Sequence, residues 1–207
     1  MNETFRPTAI RREAREALAG KWNTGALVAL VWMVLFCAIA MLQSISVALY
    51  YAAFLAAGSF LTVGLGWIFL GVARGARPEA KDLLLPFRNY VRILVAYVLI
   101  LVVTGAGMVF FIVPGVILSL GFAMTFYIMR DDGNISPVDA MKRSWTMMSG
   151  HKMEYFLLGM SFLGWAILAC ISVVGIFWLL PYMYTATGRF YERLLSTAGR
   201  VQPEEEV

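Results

Sequence analysis

The chain carries one histidine and two cysteines among 207 residues, and three long stretches of it hold no charged residue at all. Cys37 and Cys170 lie in separate apolar runs without Cys-x-x-Cys spacing, and His151 has no second histidine to join. A disulfide framework or metal site is therefore not expected, and each cysteine reads as a small packing residue. Catalytic signatures are missing as well: there is no Gly-x-Ser-x-Gly, no His-Glu-x-x-His and no phosphate-cradling loop. No ionisable group interrupts the charge-free stretches, which argues against ion- or proton-coupled transport. Their polar residues are small and neutral: Ser59, Thr62, Thr104, Ser119, Thr125, Ser161, Thr185 and Thr187. With the spacings Ala53-x-x-x-Ala57, Gly115-x-x-x-Ser119 and Gly121-x-x-x-Thr125, they read as helix packing rather than a substrate path. These absences predict a non-enzymatic protein with no cofactor and no metal.

What is present is apolar. Hydrophobic residues make up 60% of the chain, charged residues only 14%, and the mean hydropathy is +0.74, which places it outside soluble globular domains and among integral membrane proteins. Trp22 to Ala73 is roughly fifty positions without charge, enough for two helices of about 20 residues and a turn near Gln43 to Ser46. Ile93 to Met129 repeats this, with Gly105, Gly107 and Val113-Pro114-Gly115 marking the reversal. Tyr155 to Gly188 does so again, with Val174-Gly175 at the turn and Pro181 placed to kink the last helix. The second and third runs are short for two spans, so Arg92, Arg130, Lys152 and Arg189 are expected to snorkel or the bilayer to thin. Re-entrant hairpins are the alternative; full spans are preferred because nothing polar there would satisfy a broken backbone in lipid. A secretory signal ending at Ala38-Ile39-Ala40 is rejected, since the apolar run is too long and the chain re-enters the membrane at once.

All Lys and Arg residues fall in four places: Arg6 to Lys21, Arg74 to Arg92, Arg130 to Lys152, and Arg189 to Arg200. The three intervening turns have none. Six spans put the four basic places on one side, and the positive-inside rule makes that side, with both termini, cytoplasmic. The net charge of +4 is scattered over membrane-flanking segments, so anionic headgroups rather than nucleic acid are the expected partner.

The clearest basic unit is Ser136 to Trp165. Ser136 can cap a helix, Pro137 fits its first position, Asp139 completes a Ser-x-x-Asp box and Gly150 supplies the stop. Val138, Met141, Trp145 and Met148 form an apolar stripe, with Asp139, Lys142, Arg143 and Thr146 turned away, as in a helix lying in the headgroup plane. An amphipathic helix on a soluble core is the competing reading, disfavoured by the apolar flanks. Lys142, Arg143 and Lys152 are the candidate anionic-lipid contacts; anchoring by topology alone is the alternative. Trp22 and Trp145 are candidate interfacial anchors. His151 reads as a solvated residue at a helix junction rather than a pH sensor, and Asp131-Asp132-Gly133-Asn134 as a turn rather than a cation site.

The same order of parts recurs three times, with helices at about 7–19, 78–85 and 137–149 each leading into an apolar hairpin. The expected architecture is all-α: six transmembrane helices as three hairpins, at about 23–43, 48–73, 91–109, 113–130, 153–172 and 175–194, each hairpin preceded by a cytoplasmic interfacial amphipathic helix. They form one membrane domain over 1–196, and 197–207 is a disordered acidic tail.

Ile112-Val113-Pro114-Gly115-Val116-Ile117, Tyr127 to Asp131, Ala140 to Ser144, Ser149 to Lys152, Leu158 to Trp165 and the closing Pro181-Tyr182 and Phe190-Tyr191 resemble domain-of-unknown-function family nine-seven-five. The resemblance runs from about residue 10 to 195 and is clearest from Pro114 to Tyr191. It implies a bacterial multi-pass protein of the plasma membrane and brings no activity, substrate or site residue with it. The expected role is organising or binding lipids or partner proteins at the inner leaflet, with membrane proteins or further copies of the chain as candidate partners. A channel or a passive or lipid-type transporter is the alternative, and flux in reconstituted vesicles separates the two.

Overall fold

The charge-free runs fold as helix. In the computed structural model, which describes residues 5–172 and 174–201, all regular structure among the described residues is helical, with no strand. The order is α1 (Pro7–Leu18), α2 (Trp22–Met41), α3 (Val47–Ala53), α4 (Ser59–Ala73), α5 (Tyr90–Phe110), α6 (Ile112–Gly121), α7 (Thr125–Asp131), α8 (Pro137–Met147), α9 (Lys152–Met160), α10 (Leu163–Ser172) and α11 (Ile176–Val201). A π segment, Phe54–Gly58, joins α3 to α4, and a 3-10 segment, Ala80–Asn89, leads into α5.

Five helical stretches among the described residues are long and apolar enough to cross a membrane: Trp22–Ser44, Val47–Ala73, Ala80–Phe110, Ile112–Asp131 and Lys152–Ser172. The last helix is not among them. Arg189, Glu192 and Arg193 break its apolar run, leaving Ile176 to Gly188, about 13 residues or roughly 20 Å of rise. Pro181 lies inside α11, and its ring sits 3.4 Å from where a Cβ on Gly25 of α2 would stand.

α4 is the centre of the molecule. It is apolar on every face, and all but Thr62 of its residues are buried, as a helix without a polar side must be. Glycine lets neighbours reach its backbone: a Cβ on Gly64 would lie 2.5 Å from the Leu83 carbonyl oxygen. The α5–α6 turn closes in the same way, with a Cβ on Gly115 falling 2.7 Å from the Met108 nitrogen.

Two junctions share their backbone. α1 and α8 each begin on a proline, and each gives way to a glycine in the left-handed region, Gly20 (φ 72°) and Gly150 (φ 83°). The next residue, Lys21 (φ −121°, ψ 3°) or His151 (φ −114°, ψ 0°), then opens the following helix. The middle junction differs. Where a helix at about 78–85 was expected, the chain forms the 3-10 segment containing Pro86, whose missing N–H removes an α-helical bond.

The stripe expected on α8 is rotated. Ala140, Met141, Ser144 and Met148 are buried while Val138 and Trp145 are exposed, because the Ser144 hydroxyl bonds inward to Gly121 and Met124. At the end of the chain α11 continues through residues 197–201; the rest of the expected acidic tail, including Glu204 to Glu206, lies outside the described residues.

Candidate functional site: a basic end and an arginine-headed groove

The four basic segments meet. Lys21 Nζ donates to the Gly75 carbonyl at 2.9 Å, joining the N-terminal segment to the first loop. Arg74 in that loop makes a two-pronged contact with Asp131 of the second loop, 2.6 Å and 2.7 Å, and its Nε donates to Glu192 of α11 at 2.7 Å. Tyr191 adds a hydroxyl to the same Asp131 carboxylate at 3.0 Å. Arg92 donates to the carbonyls of Gly133 and Asn134, and Arg193 of α11 donates to Glu13 of α1. Asp131, then Glu192, raise the Arg74 pKa above its ordinary value against partial burial, so this link is charged at any working pH. Planar guanidinium suits a site with two carboxylates at different angles.

Beside this end, a groove of about 600 Å³ runs between α1 and the α10–α11 pair. Its floor and walls are Trp22, Trp165, Leu168, Ala169, Ile171, Trp178 and Leu179, with Tyr182 near its head. Arg11 and Arg15, one helical turn apart on α1, stand at that head. Arg11 is held in place. Its Nε donates to the Tyr182 hydroxyl and its Nη1 to the Ser161 carbonyl, each at 3.2 Å, and its guanidinium lies 5.3 Å from the Phe162 ring centre. Ser161 marks the break between α9 and α10, where a carbonyl needs an outside donor. Neither arginine faces a carboxylate among the described residues: Glu13 is taken by Arg193 and Glu16 lies near Arg12.

The lipid contacts expected from sequence are only partly brought together. Lys152 Nζ lies 3.1 Å above the Trp145 ring, and Lys142 borders a second groove of about 660 Å³ with Trp145, Val138, Met141 and Leu99. Arg143 is exposed and outside that lining, while Lys142 also approaches Asp139 at 4.0 Å. Trp145 sits on Gly121, where a Cβ would be 2.3 Å from the ring. His151 stands at its helix junction, but packing overturns its reading as solvated: its ring is 4.4 Å from Phe5, and Nδ1 is 2.7 Å from Glu154. Asp132 accepts the Asn134 amide at 3.1 Å, as turn chemistry requires. Cys37 in α2 and Cys170 in α10 are free and exposed. Most of the small polar side chains bond back to their own helix, as Ser59 to Leu55, Thr62 to Gly58 and Thr104 to Ile100. Within the sequence Arg11 and Arg15 are two members of a longer basic segment. Their four-residue spacing, close before Trp22, was the available signal.

The class these features define is an all-helical protein with several helices long and apolar enough to cross a membrane. Over residues 101–198 the chain matches the family model described as "Protein of unknown function (DUF975)". Residues 10–100, which the sequence resemblance also took in, lie before the match. No curated protein and no solved structure matches the chain.

Proposed function

We propose that the chain is a non-enzymatic, multi-pass protein of the bacterial plasma membrane that binds and organises anionic lipid at the inner leaflet. The observation that carries this reading is the union of the four basic segments at one end. Segments that touch each other bracket each apolar run, which supports a reading in which each run leaves that end and returns as a hairpin. In this reading α11 is the sixth span, its roughly 20 Å apolar part crossing a hydrocarbon core of about 30 Å by snorkelling of Arg189 and local thinning. The basic end is cytoplasmic with both termini. α1 and α8 are its amphipathic elements, docked on the protein by their buried faces and turning Lys and Arg to the headgroups.

Lys142 and Lys152 beside Trp145 supply one headgroup contact. Each basic group near the surface adds about 1 kcal/mol of attraction to anionic lipid. Replacing Lys142, Arg143 and Lys152 together with Gln is expected to lower the anionic lipid that co-purifies with the detergent-extracted protein. Lipid retention equal to wild type would remove this contact from the account.

A further inference from the structure

We propose that the groove between α1 and the α10–α11 pair holds one anionic phospholipid of the surrounding leaflet, its phosphate on Arg11 and Arg15 and an acyl chain along Trp165, Leu168, Ile171 and Trp178. The proposal rests on the lipid-binding reading above and assigns it a site that reading did not contain.

Charge argues for an anion. Two arginines one turn apart repel each other, and α1 supplies no carboxylate to either, because Glu13 and Glu16 turn to Arg193 and Arg12. Arg11 is fixed by Tyr182 and Ser161 and lies over the Phe162 ring at 5.3 Å, so it is already oriented before any ligand arrives. Arg15 is exposed and has no hydrogen bond or ion pair among the described residues. One preset and one free guanidinium at the head of a groove suit a phosphate, whose oxygens accept from both.

Shape and chemistry of the walls argue for an acyl chain. The groove is lined almost wholly by apolar and aromatic side chains below its arginine head, in the size range of ligand sites, roughly 300–1,000 Å³. It opens sideways: Ile171 is 77% exposed, Leu168 61% and Trp165 54%. Those side chains belong to a stretch long and apolar enough to cross a membrane, so the opening faces lipid.

The test uses the full-length protein in phosphatidylcholine nanodiscs with a trace of phosphatidylglycerol carrying a photoactivatable acyl chain, or phosphatidylcholine carrying the same chain. Labelled peptides are mapped by mass spectrometry. The phosphatidylglycerol probe is expected to label the α10 peptide containing Leu168 and Ile171 at least about fivefold more than the phosphatidylcholine probe, and Arg15→Gln to remove about fivefold of that excess. Arg77→Gln, an equal loss of charge at another exposed arginine, is expected to leave it. Arg15 has no partner to lose among the described residues, so its replacement does not threaten folding. Equal labelling of α10 by both probes, or an Arg15→Gln chain labelled like wild type, overturns the groove. If the phosphatidylglycerol excess lies instead around Trp145 and disappears on replacing Lys142, Arg143 and Lys152, the groove falls and the lipid reading stands. If no peptide prefers phosphatidylglycerol, both fall.

Discussion

At the scale of single residues, glycine and arginine do different work in this molecule. Gly64 lets the Leu83 carbonyl approach the central helix, and a methyl group there would meet backbone at 2.5 Å, which a side-chain rotation cannot relieve. Gly64→Ala is expected to destabilise the detergent-solubilised protein by about 1–3 kcal/mol, the usual cost of overpacking. Gly105, in α5, has nothing within 4 Å of its Cβ position, so Gly105→Ala should gain up to about 1 kcal/mol from helix propensity. Thermal unfolding of the two variants side by side checks the pair; equal melting temperatures would contradict the packing at Gly64. Arg74 acts by direction, since its fork reaches Asp131 with two nitrogens and Glu192 with the third. These roles were not readable from the sequence. Gly64 and Gly105 are both glycines within apolar runs, and only the neighbours that tertiary packing brings tell them apart.

At the scale of elements, the helices themselves were legible, because long apolar runs in lipid have few ways to satisfy their backbone and helix is the local one. Caps and stops were legible too: Ser136 accepts the Asp139 amide at 3.1 Å, and Gly150 takes the left-handed turn its position called for. What the sequence hid was the destination of the basic helices. A periodic apolar stripe says that a face is covered but not by what, and α1 covers Ile10, Ala14 and Leu18 with protein. The arginine-headed groove was hidden for the same reason, since Arg11 and Ser161 are 150 residues apart. Ile10→Ala therefore carries a clear expectation. A docked helix loses about 2–5 kcal/mol when a fully buried Ile is cut back to Ala. A helix resting only on headgroups would lose little of the fold's stability. Denaturant unfolding in mild detergent distinguishes them, and a loss below about 1 kcal/mol would detach α1 from the core of this account.

At the scale of the whole molecule, the distribution of charge and the contacts of the basic segments point the same way. Positive residues retained on one side set orientation in a membrane, and here those residues also donate to carbonyls and carboxylates of other basic segments distant in sequence. In the proposed topology this joined end is cytoplasmic, and each apolar run leaves it and comes back. Cysteine accessibility tests it most directly. In a chain with Cys37 and Cys170 replaced by Ser, single cysteines at Glu16, Arg77, Asn134 and Ser196 report the basic segments, and those at Ser44, Phe111 and Val174 report the intervening turns. With an impermeant maleimide, the first four are predicted to react only in inside-out vesicles and the last three only in right-side-out ones. A basic-segment cysteine labelled from the outside, or a turn labelled from the inside, would contradict it.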